Sequence, residues 1–321
     1  ELFTQNTIGT TLSLSRRLRR SLWTFGASYT YQKIGVDNIA KGFEFYALSQ
    51  FVGYSPASNN TTVTGIIRSE ISPSLSYNST DAYFMPTRGS SIQLSSSVSG
   101  GVLGGDFKMV RPSFEYRHYF PDRWLSHGRN IFAFNLQAQL VKAYGNSFVP
   151  FFDRFFTGGE NTVRGFDIRS ISPLAISSTQ QFDERCNPII DLKTGLPKIV
   201  QSLIPVGGDT VGVFNFEYRI PVAGPLSFSG FYDIGLNRVS YNIPKGSLSA
   251  GTVNVIGSTN DALRSSTGLE IQFVLPVVSA PFRLIFAYNP QRLTQTISVN
   301  NQLFHLKEPA KDIKFTVGRS F

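Results

Sequence analysis

Between Val63 and Tyr77 the chain alternates residue by residue. Val63, Gly65, Ile67, Ile71, Pro73, Leu75 and Tyr77 fall on one face of an extended strand; Thr64, Arg68, Glu70, Ser72, Ser74 and Ser76 fall on the other. A period of two specifies a strand with one apolar and one polar face. Its length matters more than its presence. Strands usually run about 5–6 residues, whereas a tilted strand needs about 9–11 to cross the hydrocarbon of a membrane. This stretch extends over 61–79, and the same signature recurs at 8–18, 22–34, 88–101, 107–120, 129–145, 211–222, 226–240, 263–276, 281–290 and 311–321, the last ending on Phe321. The apolar rows are broad and aromatic. Phe214, Phe216, Tyr218 and Ile220 oppose Asn215, Glu217 and Arg219; Leu226, Phe228, Tyr232, Ile234 and Leu236 oppose Ser227, Ser229, Asp233 and Asn237; Leu269, Ile271, Phe273 and Leu275 oppose Glu270 and Gln272. A soluble sandwich also alternates, but with shorter strands and without ionisable residues recurring behind such faces. The pattern predicts an all-β chain forming a transmembrane antiparallel β-barrel of about 11–12 strands.

Composition agrees with that class. No run of about 18 apolar residues exists, so no membrane helix is available. A barrel strand shows lipid only every second residue, which leaves the mean hydropathy near neutral, here −0.05. The single cysteine, Cys186, permits no internal disulfide, and His118, His127 and His305 lie in separate segments, so no metal centre is expected. HExxH, GxSxG and phosphate-binding GxxxxGK[ST] motifs are absent from the sequence, and no carboxylate pair has supporting acid–base residues. Neither an enzyme nor a cofactor is expected. The net charge is +9, densest at Arg16, Arg17, Arg19 and Arg20. That run is either a solvated turn or a contact for an anionic partner. Without a basic helix or a recognition fold beside it, nucleic acid is not expected.

Connections give orientation. Leu18–Ser21, Thr80–Thr87, Pro121–Gly128, Pro221–Pro225 and Pro276–Pro281 are short; Gly35–Asn60, Asn146–Thr210, Tyr241–Ala262 and Gln291–Ala310 are long, and the tight Gly100–Asp106 is the exception. Short turns on one side and long loops on the other mark an outer-membrane barrel with the short side periplasmic. Tyr83, Phe84, Tyr119, Phe120 and Trp124 near the short turns suit an interfacial aromatic girdle. Bacterial barrels of this kind have even strand numbers with both ends inside. Eleven strands ending in the periplasm therefore lead to the expectation that residues 1–321, read as one barrel domain, are the carboxyl-terminal part of a larger barrel.

The longest loop, 146–210, contains Pro150-Phe151-Phe152-Asp153-Arg154-Phe155-Phe156 and then Gly158-Gly159-Glu160-Asn161-Thr162-Val163-Arg164-Gly165-Phe166. A structureless loop of this size is normally functional, and so many aromatics demand an enclosed site, which in a barrel means the lumen. Arg164 would then need an anion away from water. Glu217 and Asp233, on neighbouring strands and both on the polar face, can supply it. The pattern equally allows the two acids to line a wet lumen with Arg164 at the surface.

Val163-Arg164-Gly165-Phe166 after Gly158-Gly159 resembles the VRGF loop motif of the outer-membrane insertase and translocase superfamily. Other landmarks follow in order: Pro86-Thr87-Arg88-Gly89 resembles the family's periplasmic turn, Phe216-Glu217-Tyr218-Arg219 and Phe231-Tyr232-Asp233-Ile234-Gly235 resemble its two acidic strands, and Ile313, Phe315, Val317 and Phe321 resemble its terminal β-signal. The likeness covers essentially the whole chain and is nearest to BamA-like assembly factors. It implies a 16-stranded barrel whose last eleven or so strands are present, with soluble periplasmic POTRA domains and first strands absent from this sequence. It implies an outer-membrane location, Arg164 held by Glu217 and Asp233, and a lateral gate in which Lys311–Phe321 is the closing strand. Its partners would be outer-membrane lipids, unfolded β-barrel clients and periplasmic assembly lipoproteins. Gly318 either loosens that seam or is an ordinary strand glycine. A TamA-like or two-partner secretion translocase would share fold and clasp, and a passive porin or adhesin remains the structural alternative. Cys186 lacks the second loop cysteine of some relatives.

Overall fold

The computed structural model describes residues 2–40, 42–51, 62–83, 85–181, 183, 187–192, 195–240, 251–275, 280–299 and 302–318. In chain order the elements are β1 (Thr4–Arg17), β2 (Trp23–Asp37), α1 (Glu44–Leu48), β3 (Val63–Asn78), β4 (Gly89–Ser99), β5 (Met109–Pro121), β6 (Ile131–Leu140), β7 (Lys142–Ala143), β8 (Leu174–Gln180), β9 (Ile199–Pro205), β10 (Thr210–Ala223), β11 (Leu226–Arg238), β12 (Gly251–Val255), α2 (Gly257–Asn260), β13 (Arg264–Leu275), β14 (Ala280–Gln291), β15 (Thr294–Val299), β16 (Gln302–Lys307) and β17 (Lys311–Val317). All eleven alternating stretches are strands. They form one antiparallel wall in the order β1-β2-β3-β4-β5-β6-β10-β11-β13-β14-β17.

Strand parity sorts the wall into two surfaces. Phe214, Ile220, Phe228, Tyr232, Leu269, Phe273, Phe286 and Tyr288 are exposed on the outside. Rings on β6 and β10 pack there across strands, tilted to one another, with centroids 4.8 Å apart for Phe132 and Tyr218 and 5.1 Å for Phe134 and Phe216. Asn215, Glu217, Arg219, Asp233, Glu270, Arg283 and Asn289 are buried on the inside. The same parity corrects the aromatic girdle. Phe120 points outward, so Tyr119 points inward, where it is buried beneath the Arg219 guanidinium; Phe84 lies outside the described residues.

The long connections carry more structure than their sequences suggest. Loop 146–210 holds a 3-10 turn at Phe151–Asp153 as well as β8 and β9, which form a three-stranded sheet with β12 from the following long connection. Connection 291–310 contains the hairpin β15–β16. The alternation assigned to 129–145 breaks at Val141, after which β7 pairs with β5 instead of continuing β6 along β10. These strands are short and polar, as in Ile176-Ser177-Ser178-Thr179, so period two has too few residues to register. Over the mouth, Ile34 and Val36 of β2, Phe43 and Tyr46 around α1, and Phe107 and Phe151 pack into one buried apolar cluster with Ala175, Ile204 and Val253 of the loop sheet. The Tyr46 hydroxyl donates to the Val206 carbonyl at 3.0 Å, fastening α1 to that sheet.

Among the described residues β1 pairs only with β2, and β17 only with β14, over Phe282–Tyr288 against Val317–Lys311. The backbone ladder continues one step further, where Gly318 N–H donates to Pro281 O at 2.9 Å. Gly318 takes φ +153°, a conformation that side chains with a Cβ rarely adopt. Phe321 lies outside the described residues.

If the outer face meets hydrocarbon, Phe286→Arg in the middle of β14 should destabilise the barrel by about 2–4 kcal/mol, and Phe286→Leu should be nearly neutral. Urea unfolding of protein folded into lipid vesicles reads the difference, and equal stability of the two variants would contradict a lipid-facing row.

Candidate functional site

The lumenal loop descends as a hairpin. Phe155 and Gly208 exchange backbone hydrogen bonds at 2.8 Å, and Thr157 and Ile171 exchange theirs at 3.1 and 2.9 Å. Between them the chain turns through Gly158 and Gly159, both at φ above +100°, and the Thr162 hydroxyl accepts from Gly158 N–H. Val163, Arg164, Gly165 and Phe166 are all buried at the tip. Val163 and Phe166 pack with Ile171, Val211 and Val213. Gly235 on β11 leaves the room that Val163 needs, since a Cβ there would stand 2.6 Å from Val163 Cγ2.

Arg164 is 2% exposed and reaches three strands. Its Nε and Nη2 donate to the two oxygens of Asp233 on β11, each at 2.7 Å, and its backbone N–H adds a third bond to the same carboxylate at 3.0 Å. Its Nη1 donates to Glu217 Oε1 on β10 at 2.5 Å and to Glu270 Oε2 on β13 at 3.0 Å. The guanidinium lies over the Phe231 ring, 3.9 Å from the centroid. Phe231, not Asp233, stands directly opposite Glu217; Asp233 faces Asn215, so the two acids reach Arg164 along a diagonal. On β13, Gly268 is the register partner of Phe231, and a Cβ there would crowd the ring at 3.0 Å.

The acids are themselves shared. Arg219 Nε donates to Glu217 Oε2 at 2.6 Å, and Arg283 Nε donates to Glu270 Oε1 at 2.6 Å. Three carboxylates thus meet three guanidinium groups in a buried chain running from β10 to β14. Neutral pairing of this kind is what allows charge to leave water at all. Backbone groups of the tip are also bound: Asn215 Nδ2 donates to Thr162 O at 2.5 Å, Asn289 Nδ2 to Gly165 O at 2.6 Å, and Lys314 Nζ of β17 to Phe166 O at 2.7 Å. Ile313, Phe315 and Val317 alternate with Lys314 and are exposed on the outer face.

A profile of the Omp85 superfamily domain matches residues 1–321. The chain belongs to the Omp85 superfamily. Within it, the chain is 27% identical over 218 residues to the outer membrane protein assembly factor BamA of Nitratidesulfovibrio vulgaris, covering 66% of this chain and 22% of that protein. It is also 27% identical over 107 residues to the sorting and assembly machinery component 50 homolog of Mus musculus, covering 33% of this chain and 22% of the relative. The crystal structure of BamA from Haemophilus ducreyi lacking POTRA domains 1–3 superposes with a TM-score of 0.68 at 17% identity, over 98% of this chain and 54% of that one. The chain therefore spans about a fifth of the length of the curated relatives that it matches, and the structural likeness establishes the barrel fold.

A second ion cluster, buried at Asp153 and Arg68 and half-buried at Arg111, anchors this Omp85 loop nearer its start. Asp153 accepts from Arg68 on β3 and from Arg111 on β5. Arg68 lies over the Phe152 ring and Arg111 over Phe155, both at 5.9 Å. The signs are inverted: at Arg164 the loop supplies the cation, and at Asp153 it supplies the anion. Sequence reasoning missed Asp153, Glu270, Arg283, Asn289 and Lys314. Glu270 and Lys314 were readable as inward by parity, but their partners depend on register, which alternation does not specify.

Breaking one side of such a buried pair costs about 3–5 kcal/mol. Arg164→Ala should lose that much stability and open the loop to trypsin at Arg154 and Arg169. Asp153→Asn should open the same loop while leaving the Arg164 network paired. Gly165→Ala should also weaken the clasp, because Gly165 sits at φ +79° and a Cβ would lie 2.4 Å from Asn289 Oδ1. Limited proteolysis of the folded barrels decides; undiminished protection in Arg164→Ala would show that something else holds the loop.

Proposed function

We propose that this chain forms the membrane-barrel part of an outer-membrane protein assembly factor, which receives unfolded β-barrel clients and releases them into the bilayer at the edge ending on β17. One observation carries the reading. The tip that holds Arg164 is bonded to β10, β11, β13 and β14 and finally to β17, where Lys314 meets the Phe166 carbonyl at 2.7 Å and Asp167 Oδ1 at 3.1 Å. A lumenal loop is thereby tied to the strand whose outer edge has no neighbour among the described residues.

The physics of that edge suits the task. An uncovered strand offers a row of backbone donors and acceptors to any incoming strand, and such pairing supplies affinity without demanding a particular sequence. In lipid, each unpaired backbone group costs several kcal/mol, so the edge favours capture of a partner strand. Ile313, Phe315 and Val317 would contribute alternate apolar contacts. Arg164, Glu217 and Asp233 would keep the adjoining wall stiff while β17 yields, and Lys314 would couple the loop to that movement.

In this reading the barrel sits in a bacterial outer membrane, where periplasmic domains and lipoproteins deliver the clients. The names of the relatives, an assembly factor and a sorting and assembly component, favour assembly over a TamA-like or two-partner secretion translocase.

The test is made with full-length protein in cells depleted of their own assembly factor. A photo-crosslinking residue at Phe315 should capture a radiolabelled β-barrel client, and Lys314→Met should cut client assembly several-fold while the barrel itself remains folded. Native Cys186 has to be replaced by serine wherever engineered disulfides are used to lock the seam. Normal client assembly without any adduct at Phe315 would rule out β17 as the receiving edge.

A further inference from the structure

The arginines at the short-turn end are left without a role by the loop and its clasp. The end of β1 and the β1–β2 turn carry Arg16, Arg17, Arg19 and Arg20; the β3–β4 turn carries Arg88; the β5–β6 turn carries Arg123 and Arg129. These three turns are consecutive along the wall, because β1 to β6 are neighbours in chain order. Strands about 4.8 Å apart set successive turns about 10 Å apart, so the cations form a continuous arc. All seven side chains are exposed, and none forms an ion pair among the described residues.

The acids of the arc are already occupied by neighbouring donors. Asp81 accepts from the Thr87 hydroxyl and N–H, and although burial works against ionisation, these bonds hold its carboxyl below the ordinary range. Asp122 accepts from Leu125 N–H, the Tyr218 hydroxyl and Trp124 N–H at 3.0, 2.6 and 2.9 Å. They keep its carboxyl below the ordinary range as well.

Two placements say what the arc faces. Arg16 stands on the outer row of β1 beyond Ile8, Leu12 and Leu14, with Phe25 as its cross-strand partner. An arginine at the end of a lipid-facing row lays its stem along apolar surface and extends its head to the phosphate level. The second placement is the β5–β6 turn, which the Asp122 bonds make rigid while Trp124 and Leu125 project at 85% and 80% exposure. Large apolar side chains held outward beside arginines match the interface of a bilayer, with rings among the glycerol and acyl groups and guanidiniums on phosphates. The β10–β11 turn, Pro221–Pro225, has no charged residue, so the arc is one-sided.

We propose that the turns joining β1–β2, β3–β4 and β5–β6 form a binding surface for the headgroups of anionic phospholipids in the leaflet that they face. Guanidinium groups bind phosphate oxygens in pairs, and the surface anchors this side of the wall. The inference needs only the barrel fold, and is independent of what the barrel assembles.

The chain's two tryptophans, Trp23 and Trp124, both lie at this end, so lipid identity there can be read by fluorescence quenching. Full-length protein is reconstituted in phosphatidylcholine vesicles containing phosphatidylglycerol, with one lipid or the other brominated, and Trp124→Phe is subtracted to isolate Trp124. Quenching should report phosphatidylglycerol as bound about three- to tenfold more strongly than phosphatidylcholine at low salt, falling towards equality at about 1 M salt. The R16Q/R17Q/R19Q/R20Q protein, checked for folding by its heat-shifted gel migration, should lose most of the preference, and the corresponding lysine variant should keep it. No preference in the unsubstituted protein, or the same preference in the glutamine variant, overturns the proposal. Loss of client assembly in the glutamine variant with no lipid preference in the parent would likewise overturn it, and would point to an acidic protein partner instead.

Discussion

A guanidinium carried into a protein wall that stands in hydrocarbon has to be neutralised by the groups it touches, and much of the barrel's inner face is arranged around that demand. Arg164 takes both oxygens of Asp233 and one each of Glu217 and Glu270. Those acids would be costly on their own, so Arg219 and Arg283 share them. The ring of Phe231 covers one face of the guanidinium, and Gly268 gives that ring its place. A planar fork with directional donors makes this arrangement selective in a way that a point charge would not. The loop has one position in which all of these bonds are made. Buried ion networks of this kind contribute less to net stability than their number suggests, because desolvation offsets most of the attraction. What they provide here is a defined resting place for the tip.

How much of this was legible in the sequence follows from what alternation encodes. A period of two reports which side of a sheet a residue faces, and in long strands it reports little else. It located every wall strand within a few residues and placed Arg164's first two acids on the inner face. It could not give register, and register decides that Phe231 rather than Asp233 stands opposite Glu217, and that Glu270 comes within reach from one strand further on. Asp153 was hidden for another reason. Amid Phe151, Phe152, Phe155 and Phe156 it looked like part of an aromatic plug, and its partners lie on β3 and β5, 85 and 42 residues away in the chain. The loop strands β8, β9 and β12 were invisible because they are short and pair across different connections.

The two ion clusters differ in more than sign. Asp153 faces β3 and β5, whereas Arg164 faces β10, β11 and β13, so the descending loop is attached to two separate stretches of the wall. A segment fixed at two points is a brace: it limits how far those stretches can move relative to each other. The Lys314 contact is weaker in kind, a flexible ammonium on a carbonyl and a largely exposed carboxylate. The loop's hold on the wall therefore differs from strand to strand: several buried charge-assisted bonds at β10–β13, and a single lysine at β17.

Dielectric surroundings separate the inner clasp from the outer arc of arginines. The Arg164 network is sealed from water, so mobile ions cannot enter to screen it, and its strength should hardly follow ionic strength. The arginines of the short turns stand in the aqueous interface, where a Debye length of about 8 Å at physiological salt governs every contact. One set fixes internal geometry and the other meets the surroundings. Salt is therefore a lever that acts on the barrel's contact with its leaflet while leaving the loop in place, and an effect of salt on loop position would mean that water reaches Arg164.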